Sequence, residues 1–144
     1  MVTVRLVQDD ERRWANRMYE QIRFRPSGAS DLLALALVDD EPAGLGRLVP
    51  VDDAAAELGG IFVLPEFRGK GLAAAIVQYL IEQSQGRRLF CIPFSGLETF
   101  YRRFGFVPAV PQTQVPGEVV ERLEWSRRAY PEPVMLLVRE GGST

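Results

Sequence analysis

The sequence of 144 residues contains no histidine, and this absence limits the chemistry that the chain can perform. Catalytic triads and Cys–His pairs need an imidazole as their base, and the common zinc sites need one as a ligand. The single cysteine, Cys91, stands in an apolar run without a neighbouring base, so we expect a small buried side chain and not a nucleophile. We expect no metal site. Carboxylates, tyrosine, lysine, arginine, serine and backbone amides remain as reactive groups.

One segment combines small residues with the start of a helical pattern. It reads Arg68-Gly69-Lys70-Gly71-Leu72-Ala73, and the apolar residues after it recur with a helical period. The first amides of a helix have no partners inside it and carry a partial positive charge, and glycines let an anion approach them. Phosphate or pyrophosphate is the natural ligand of such amides. An ordinary glycine turn explains these six residues equally well.

Two familiar phosphate-binding motifs fit this segment poorly. A P-loop needs a serine or threonine directly after its lysine, and here Gly71 follows Lys70. Gly69, Gly71 and Ala74 have the spacing of the dinucleotide fingerprint, which should directly follow its strand and be followed about 20 residues later by an acidic residue. Several residues separate this turn from the strand before it, and the next strand ends in Ile92-Pro93-Phe94 without an acid. Both motifs are therefore disfavoured.

The elements that must position this turn follow from hydrophobic periodicity, which predicts one α/β domain over residues 1–144. Strands are predicted at 2–7, 32–38, 43–51, 57–63, 88–92, 106–108 and 134–138. Helices are predicted at 10–24, 72–85, 95–104 and 117–129. The second helix connects the fourth and fifth strands, and a strand–helix–strand unit of this length makes those two strands parallel.

Smaller features refine this outline. Gly59-Gly60 inside the fourth strand indicates a bulge or the close approach of another molecule. Ser95 and Glu98 have the spacing of a capping box at the start of the third helix. Val120 and Leu123 are expected on the inner face of the fourth helix, and residues 140–144 are expected to form a frayed tail.

The segment at 68–73 resembles the Arg/Gln-x-x-Gly-x-Gly/Ala signature of the GNAT acyltransferases. The resemblance includes Ile61-Phe62-Val63-Leu64-Pro65-Glu66-Phe67 before it and resumes at Phe100-Tyr101-Arg102-Arg103-Phe104-Gly105-Phe106. It covers about residues 54–108. The rest of the chain agrees in the order of its elements. The resemblance implies a mixed, mostly antiparallel sheet of about seven strands flanked by helices, with the parallel strands four and five splayed apart.

The resemblance also implies a function and roles for individual residues. The cofactor would be acetyl-CoA, and a primary amine of a small molecule or protein would attack its acetyl group directly. The amides of Arg68, Gly69, Lys70, Gly71, Leu72 and Ala73 would bind the pyrophosphate of CoA, and Ile61, Phe62 and Val63 would bind its pantetheine arm. Glu57 would act as the base, and Tyr101 would protonate the departing thiolate. Phe94 stands where the family often has an asparagine, so one cofactor contact is lost or replaced.

Composition adds expectations about partners. The net charge of −2 and the scattered basic residues disfavour nucleic acid, and no apolar run is long enough for a membrane span. One cysteine and no signal-peptide pattern indicate a cytoplasmic protein. The acidic residues Asp39, Asp40, Asp52, Asp53 and Glu57 are consistent with attraction of a cationic acceptor, although turns favour aspartate in any case. The alternative function is a non-catalytic acyl-CoA-binding module, and an NAD- or phosphate-binding regulatory domain is disfavoured. A homodimer is one alternative for the assembly.

Overall fold

The computed structural model describes residues 1–141, and within them seven strands form one mixed sheet. The strands are β1 (Val2–Leu6), β2 (Leu32–Val38), β3 (Glu41–Pro50), β4 (Ala55–Val63), β5 (Arg88–Cys91), β6 (Val107–Pro108) and β7 (Leu137–Arg139). Their order in the sheet is β1-β2-β3-β4-β5-β7-β6, and only the pair β4–β5 is parallel within these residues. The predicted fold class, a mostly antiparallel α/β sheet, is confirmed.

Four helices cover the two faces of the part of the sheet that residues 1–141 describe. They are α1 (Arg12–Gln21), α2 (Leu72–Gln83), α3 (Glu98–Arg102) and α4 (Gly117–Ala129). Strand β2 is buried on both faces: Ala34 and Ala36 belong to the core that includes α2, whereas Leu33 and Leu35 pack with α1. Alternate residues of a strand point to opposite faces, which explains why this strand is almost continuously apolar.

Strands β4 and β5 separate after a short paired segment. Their register begins at Ala55 opposite Arg88 and ends at Glu57 opposite Phe90, although β4 continues to Val63. Beyond Glu57, this edge of β4 therefore has no strand partner among residues 1–141. The splay expected for strands four and five is present, and it opens a gap in the middle of the sheet.

A bulge in β4 lies beside this gap. Phe62 is paired with Leu45, but Gly59 is paired with Arg47, so β4 has one more residue here than β3. Gly60 has a φ of +62°, which a residue with a side chain rarely adopts. The hydroxyl of Tyr19, on α1, donates a hydrogen bond to the Gly60 carbonyl at 2.8 Å. The bulge expected from the two glycines is present.

Two local predictions near the third helix were wrong. The side chains of Ser95 and Glu98 form no capping box, because the Ser95 amide donates to the carbonyl of Pro133 and the Glu98 carboxylate pairs with Arg102. The last strand begins at Leu137 and not at residue 134. Leu137 lies opposite Cys91, where β5 ends. The ladder is interrupted beyond this pair because Pro93 has no N–H group to donate, and residue 134 is paired with Phe94 only in an isolated bridge.

Two predictions near the C-terminus also need correction. In α4 the fully buried residue is Val119, whereas Val120 is 37% exposed, so the inner face is rotated from the predicted one. Glu140 is not frayed, because its carboxylate forms two hydrogen bonds of 2.8 Å with Arg88. The last three residues of the predicted tail, 142–144, lie outside the described residues.

Candidate active site

The turn before α2 presents backbone amides to open space. Gly69 and Gly71 have φ values of +80° and +78°, and a Cβ built on either would have no atom within 4 Å. The first helical amide with a backbone acceptor is that of Ala75, which donates to the Gly71 carbonyl. In the described part of the chain, none of the amides of residues 69–74 has an acceptor. The turn is exposed and can accommodate an anion.

A groove runs from this turn along the open edge of β4. Its outer part is lined by residues that include Val63, Arg68, Gly69, Gly71 and Ala73. Its inner part shares Val63, Arg68 and Ala73 with the outer part and continues to Tyr101. The two parts form one elongated channel between β4 and α3. Its course from the open turn along the edge of β4 suits an extended ligand with an anionic end.

The Val63 amide faces this groove. Leu64 donates to the Ala43 carbonyl on the β3 side, and successive N–H groups of an antiparallel strand alternate between its two edges. The N–H group of Val63 is therefore directed to the open edge. The Val63 carbonyl accepts a hydrogen bond of 3.1 Å from Arg68 Nε, which ties the glycine turn to β4.

Tyr101 lies where the groove meets a second, deeper cavity. It lines both spaces and is only 4% exposed, with its ring packed edge-on against Phe100 and Phe106. Burial raises the pKa of Tyr101 well above its ordinary value, and the neighbouring Cys91 adds to this effect. The phenol therefore stays protonated at neutral pH and can donate a proton.

Cys91 is buried beneath Tyr101, as predicted. Burial raises the pKa of its thiol, with Glu57 as a second cause. A thiol of this kind is a poor nucleophile because only the thiolate reacts readily. Cys91 therefore acts as part of the cavity wall.

Three separate parts of the chain enclose the deeper cavity. Its walls are the segment after α1, the bulged part of β4 and the inner face of α4, with the segment after β5 closing the side nearest Tyr101. Aromatic side chains cover much of the wall, and they are Phe24, Phe94, Trp125 and Tyr130. The loop between α1 and β2 and the helix α4 thus supply two of the walls of this cavity.

Glu57 is the acidic residue of this cavity wall. It is 8% exposed and forms an ion pair and hydrogen bond with Arg122 of α4. The other acids expected to attract a cation do not line the cavity. Asp39 pairs with the chain N-terminus, and Asp52 accepts hydrogen bonds from the amides of its own turn. The predicted acidic entrance is wrong, because those aspartates belong to turns elsewhere.

Arginines dominate the charge of the cavity, which the sequence did not predict. Arg25, Arg47 and Arg122 line it. Arg47 is 6% exposed, lies 4.6 Å above the ring of Tyr19 and donates to the hydroxyl of Ser27. Burial lowers the pKa of Arg25, and the positive charge of Arg47 is the second cause. No local pattern marks these residues, because they are far apart along the chain.

The residues predicted to bind the cofactor do not all have equivalent positions. Ile61, Phe62 and Val63 line the inner groove, and Arg68 and Ala73 line both of its parts. The side chain of Leu72 is buried in the core, with 2% exposure, so Leu72 can contact a ligand only through its backbone amide. Lys70 is exposed but does not line the groove. Arg103, which was not predicted, lines the outer groove and stacks on Phe100.

Two further findings concern the described residues as a whole. Within residues 1–141, no group of three or more His, Cys, Asp or Glu side chains is arranged to bind a metal ion. None of the helices formed by those residues combines the length and apolar character that crossing a bilayer needs.

Comparison with solved structures identifies similar folds. The chain resembles N-acetylglutamate synthase from Neisseria gonorrhoeae, crystallised with coenzyme A and L-arginine, with a TM-score of 0.72 and 16% identity over 99% of this chain. It spans 34% of that longer protein. A GNAT family acetyltransferase from Elizabethkingia anophelis with acetyl-CoA bound has a TM-score of 0.68 and 20% identity, with 96% of this chain and 97% of the other covered.

Escherichia coli ElaA is similar over its whole length, with a TM-score of 0.69 and 15% identity, and the match covers 97% of this chain. These identities are low, so the structural likeness shows the fold alone. No curated protein matches the sequence. The family model of the GNAT acetyltransferases matches residues 3–106, which is most of the chain. The chain therefore belongs to the GNAT acetyltransferase family.

Proposed function

We propose that this protein is an N-acetyltransferase that transfers the acetyl group of acetyl-CoA to a primary amine by direct attack. The observation that carries the proposal is the continuity of the site. The unpartnered amides of residues 69–74, the open edge of β4 and Tyr101 follow one another along a single groove that ends at the second cavity. The relatives crystallised with coenzyme A or acetyl-CoA support this choice of cofactor.

The chain offers a site for the pyrophosphate and one for the pantetheine arm of CoA. Amides at the start of α2 suit the pyrophosphate, because they lack other acceptors and carry the positive end of the helix dipole. Arg68 and Arg103 line the same part of the groove and add positive charge. Residues Ile61, Phe62 and Val63 suit the pantetheine arm, because this edge of β4 is unpaired and can form hydrogen bonds with its amides. Acetyl-CoA supplies an activated acetyl thioester.

The residues at the junction can assist each step of the transfer. An amine of pKa about 10 is mostly protonated at pH 7, and Glu57 in the cavity wall can accept its proton, directly or through water. As the C–N bond forms, the Val63 amide can donate a hydrogen bond to the developing oxyanion. As the C–S bond breaks, the neutral phenol of Tyr101 can give its proton to the thiolate, and the second proton that the nitrogen loses on becoming an amide can restore the phenol.

The alternative of a non-catalytic acyl-CoA-binding module has one observation in its favour. Among the described residues that line the cavity, Glu57 is the one carboxylate, and it is already paired with Arg122. For catalysis, Glu57 must accept a proton from the amine although its carboxylate is in contact with Arg122. A binding module would keep the groove and would lack turnover with every amine.

Thermal unfolding with added ligand tests the proposal. Acetyl-CoA at 100 times its dissociation constant should stabilise the protein by about 2.7 kcal/mol, or raise Tm by roughly 5–11 °C. NAD serves as the control ligand and should cause no shift. Release of free thiol from acetyl-CoA in the presence of a panel of amines then separates the enzyme from the binding module. A stabilised protein without thiol release would favour the module, and the absence of any shift would contradict both.

The cytoplasmic location and a homodimer stay predictions.

A further inference from the structure

The deeper cavity has an excess of positive charge that no protein group balances. We call Arg25, Arg47 and Arg122 the arginine cluster. These three guanidinium groups share the cavity wall with Glu57 as their one acidic neighbour among the described lining residues. The tyrosines of the wall, Tyr101 and Tyr130, have pKa values raised by burial, so they stay neutral at pH 7. The wall therefore carries a formal surplus of two positive charges.

The contacts of Arg122 leave part of its guanidinium unsatisfied. Its Nε donates to Glu57, and its Nη1 lies 4.0 Å from the carboxylate of Glu118. Its Nη2 is buried and has no hydrogen-bond partner in residues 1–141. A buried donor without an acceptor is costly, and the cost is larger for a charged group. A ligand acceptor would remove that cost once a small rotation of the side chain turns Nη2 toward the cavity.

Unlike Arg122, the other two members of the cluster have no carboxylate within salt-bridge distance among residues 1–141, and Glu57 and Asp31 act on Arg25 only from further away. Arg47 donates to the hydroxyl of Ser27 and to the backbone carbonyl of Arg25, which are neutral groups. Within residues 1–141, neither Arg25 nor Arg47 forms a salt bridge. Like charges held together in a partly buried space repel each other, and a bound anion would relieve this repulsion.

The position of the cluster relates that anion to the transferred group. The cavity shares Ile61, Leu97 and Tyr101 with the inner groove, where the acetyl group would arrive. A ligand in the cavity therefore places one end near Tyr101 and Glu57 while another end contacts the cluster. Phe24, Phe94 and Trp125 each contact Tyr130 edge-on, with ring centroids 5.3–6.3 Å apart. These four rings form an apolar wall beside the two ends of the ligand site.

From this arrangement we infer that the acceptor is an amino acid with a free carboxylate and an apolar side chain. Its carboxylate is held by the arginine cluster, its side chain packs on the aromatic wall, and its amine reaches the junction with the groove. Arginine suits this task because its planar fork matches a carboxylate in two hydrogen bonds. The inference rests on the proposed acetyl transfer and specifies its acceptor.

Matched acceptors test the inference in the unmodified protein. We suggest thiol-release assays with acetyl-CoA and three members of one series, L-phenylalanine, L-phenylalaninamide and phenethylamine, with leucine and leucinamide as a second series. The free acids should be preferred over the amides by on the order of 10- to 100-fold in kcat/KM, the value of a charge-assisted hydrogen bond. The amine of the amide is less basic than that of the free acid, so a larger fraction of it is neutral and reactive. This difference in reactivity favours the amide and therefore cannot produce the expected preference for the acid.

Variants locate the effect in the cluster. Arg122→Gln should lower the ratio of kcat/KM for the free acid to kcat/KM for the amide, because the loss of the Glu57 partner affects both acceptors alike and cancels from that ratio. Arg25→Gln should also weaken the preference for the free acid. Because Arg25 is partly exposed, this variant can be used if Arg122→Gln folds poorly. Arg128→Gln is the control, because Arg128 is an exposed arginine of the same helix and does not line the cavity.

The outcomes separate this inference from the function on which it rests. Equal rates with acids and amides, or a preference for phenethylamine, would overturn the inference and leave the acetyltransferase intact. The absence of any acetyl-CoA-induced stabilisation would instead reject the proposed function. If acetyl-CoA binds but no amine is acetylated, L-phenylalanine must still raise the Tm of the CoA complex in an Arg122-dependent way. Without that rise, the inference fails.

Discussion

Tyr101 shows how burial can suit a residue to one chemical role. A phenol of ordinary pKa is already neutral at pH 7, and desolvation raises the pKa of Tyr101 further. The neutral form therefore persists through the whole physiological range. Its position between groove and cavity places that proton where a thiolate would leave.

Replacement of Tyr101 by phenylalanine tests this role. The variant keeps the ring and its packing, so we expect an unchanged Tm and an unchanged KM for acetyl-CoA, with kcat reduced by roughly 10²-fold. In the wild type, kcat should rise with pH as the amine is deprotonated. It should show no decline at any pH below ~10, because the raised pKa of Tyr101 keeps the phenol protonated in that range. Steady-state rates across pH provide the measurement. A fully active variant would exclude Tyr101 as the acid.

Glu57 has a structural role and a proposed catalytic one, and these can be separated by pH. Glu57→Gln leaves Arg122 without its counter-ion, so we expect a loss of about 1–3 kcal/mol in the free energy of unfolding. If Glu57 also removes the proton of the amine, the loss of activity should shrink as pH approaches the amine pKa of about 10. Rates measured from pH 6 to 10 decide the question.

A suitable control for Glu57→Gln is Glu124→Gln, which removes an exposed carboxylate of α4 outside the cavity. This variant should retain both stability and activity. A defect of Glu57→Gln that is the same at every pH would mean that the ion pair with Arg122 only supports the cavity wall.

At the scale of elements, the β4 bulge connects the N-terminal helix to the active-site groove. Gly60 carries the positive φ, and its carbonyl accepts the hydrogen bond of Tyr19. The bulge follows directly after the point where β4 and β5 part, so it helps to set the direction of the open edge. Tyr19 also lies beneath Arg47. One buried tyrosine thus supports both the groove and the arginine cluster.

Two adjacent glycines provide a matched test of this bulge. An alanine Cβ at Gly60 would lie 2.7 Å from the Tyr19 hydroxyl in a left-handed conformation, so Gly60→Ala should lose about 1–3 kcal/mol of stability. At Gly59 the nearest atom would be Glu57 Oε2 at 3.7 Å, so Gly59→Ala should cost less than about 1 kcal/mol. Chemical denaturation measures both. Equal losses would show that the bulge imposes no special constraint.

Most elements could be predicted because their signals are local. The continuous apolar run of β2 and the glycine pair in β4 carry their structural meaning in consecutive residues. Predictions failed where a distant partner decided the outcome. Ser95 was expected to cap a helix, but its amide meets Pro133, and the start of β7 depends on where β5 ends. Such contacts depend on the fold and have no local signature.

At the scale of the molecule, the two halves of the site differ in how well the sequence reveals them. The groove is built from β4 and the start of α2, which lie close together in the chain and contain a recognisable motif. The cavity unites the segment after α1, the middle of the sheet and α4. Its arginines at 25, 47 and 122 become neighbours only through the sheet topology, and the sequence therefore suggested an acidic acceptor site instead.

The same division applies to function across the molecule. The family match covers residues 3–106 and includes the whole groove, whereas α4 lies beyond it. An acyl-CoA site can therefore be proposed from family membership and geometry together. The acceptor must be read from the charges and surfaces of the cavity itself, because site-level chemistry is not determined by fold.

Titration of the 15N-labelled protein with CoA, followed by amide NMR, tests the pyrophosphate site without relying on turnover. The pyrophosphate is proposed to bind the unpartnered amides before and at the start of α2. Amide protons of Gly69, Gly71 and Ala73 should move downfield and exchange more slowly with water as CoA binds, because each gains a charged acceptor. CoA binding that leaves these amide signals unchanged would contradict the account.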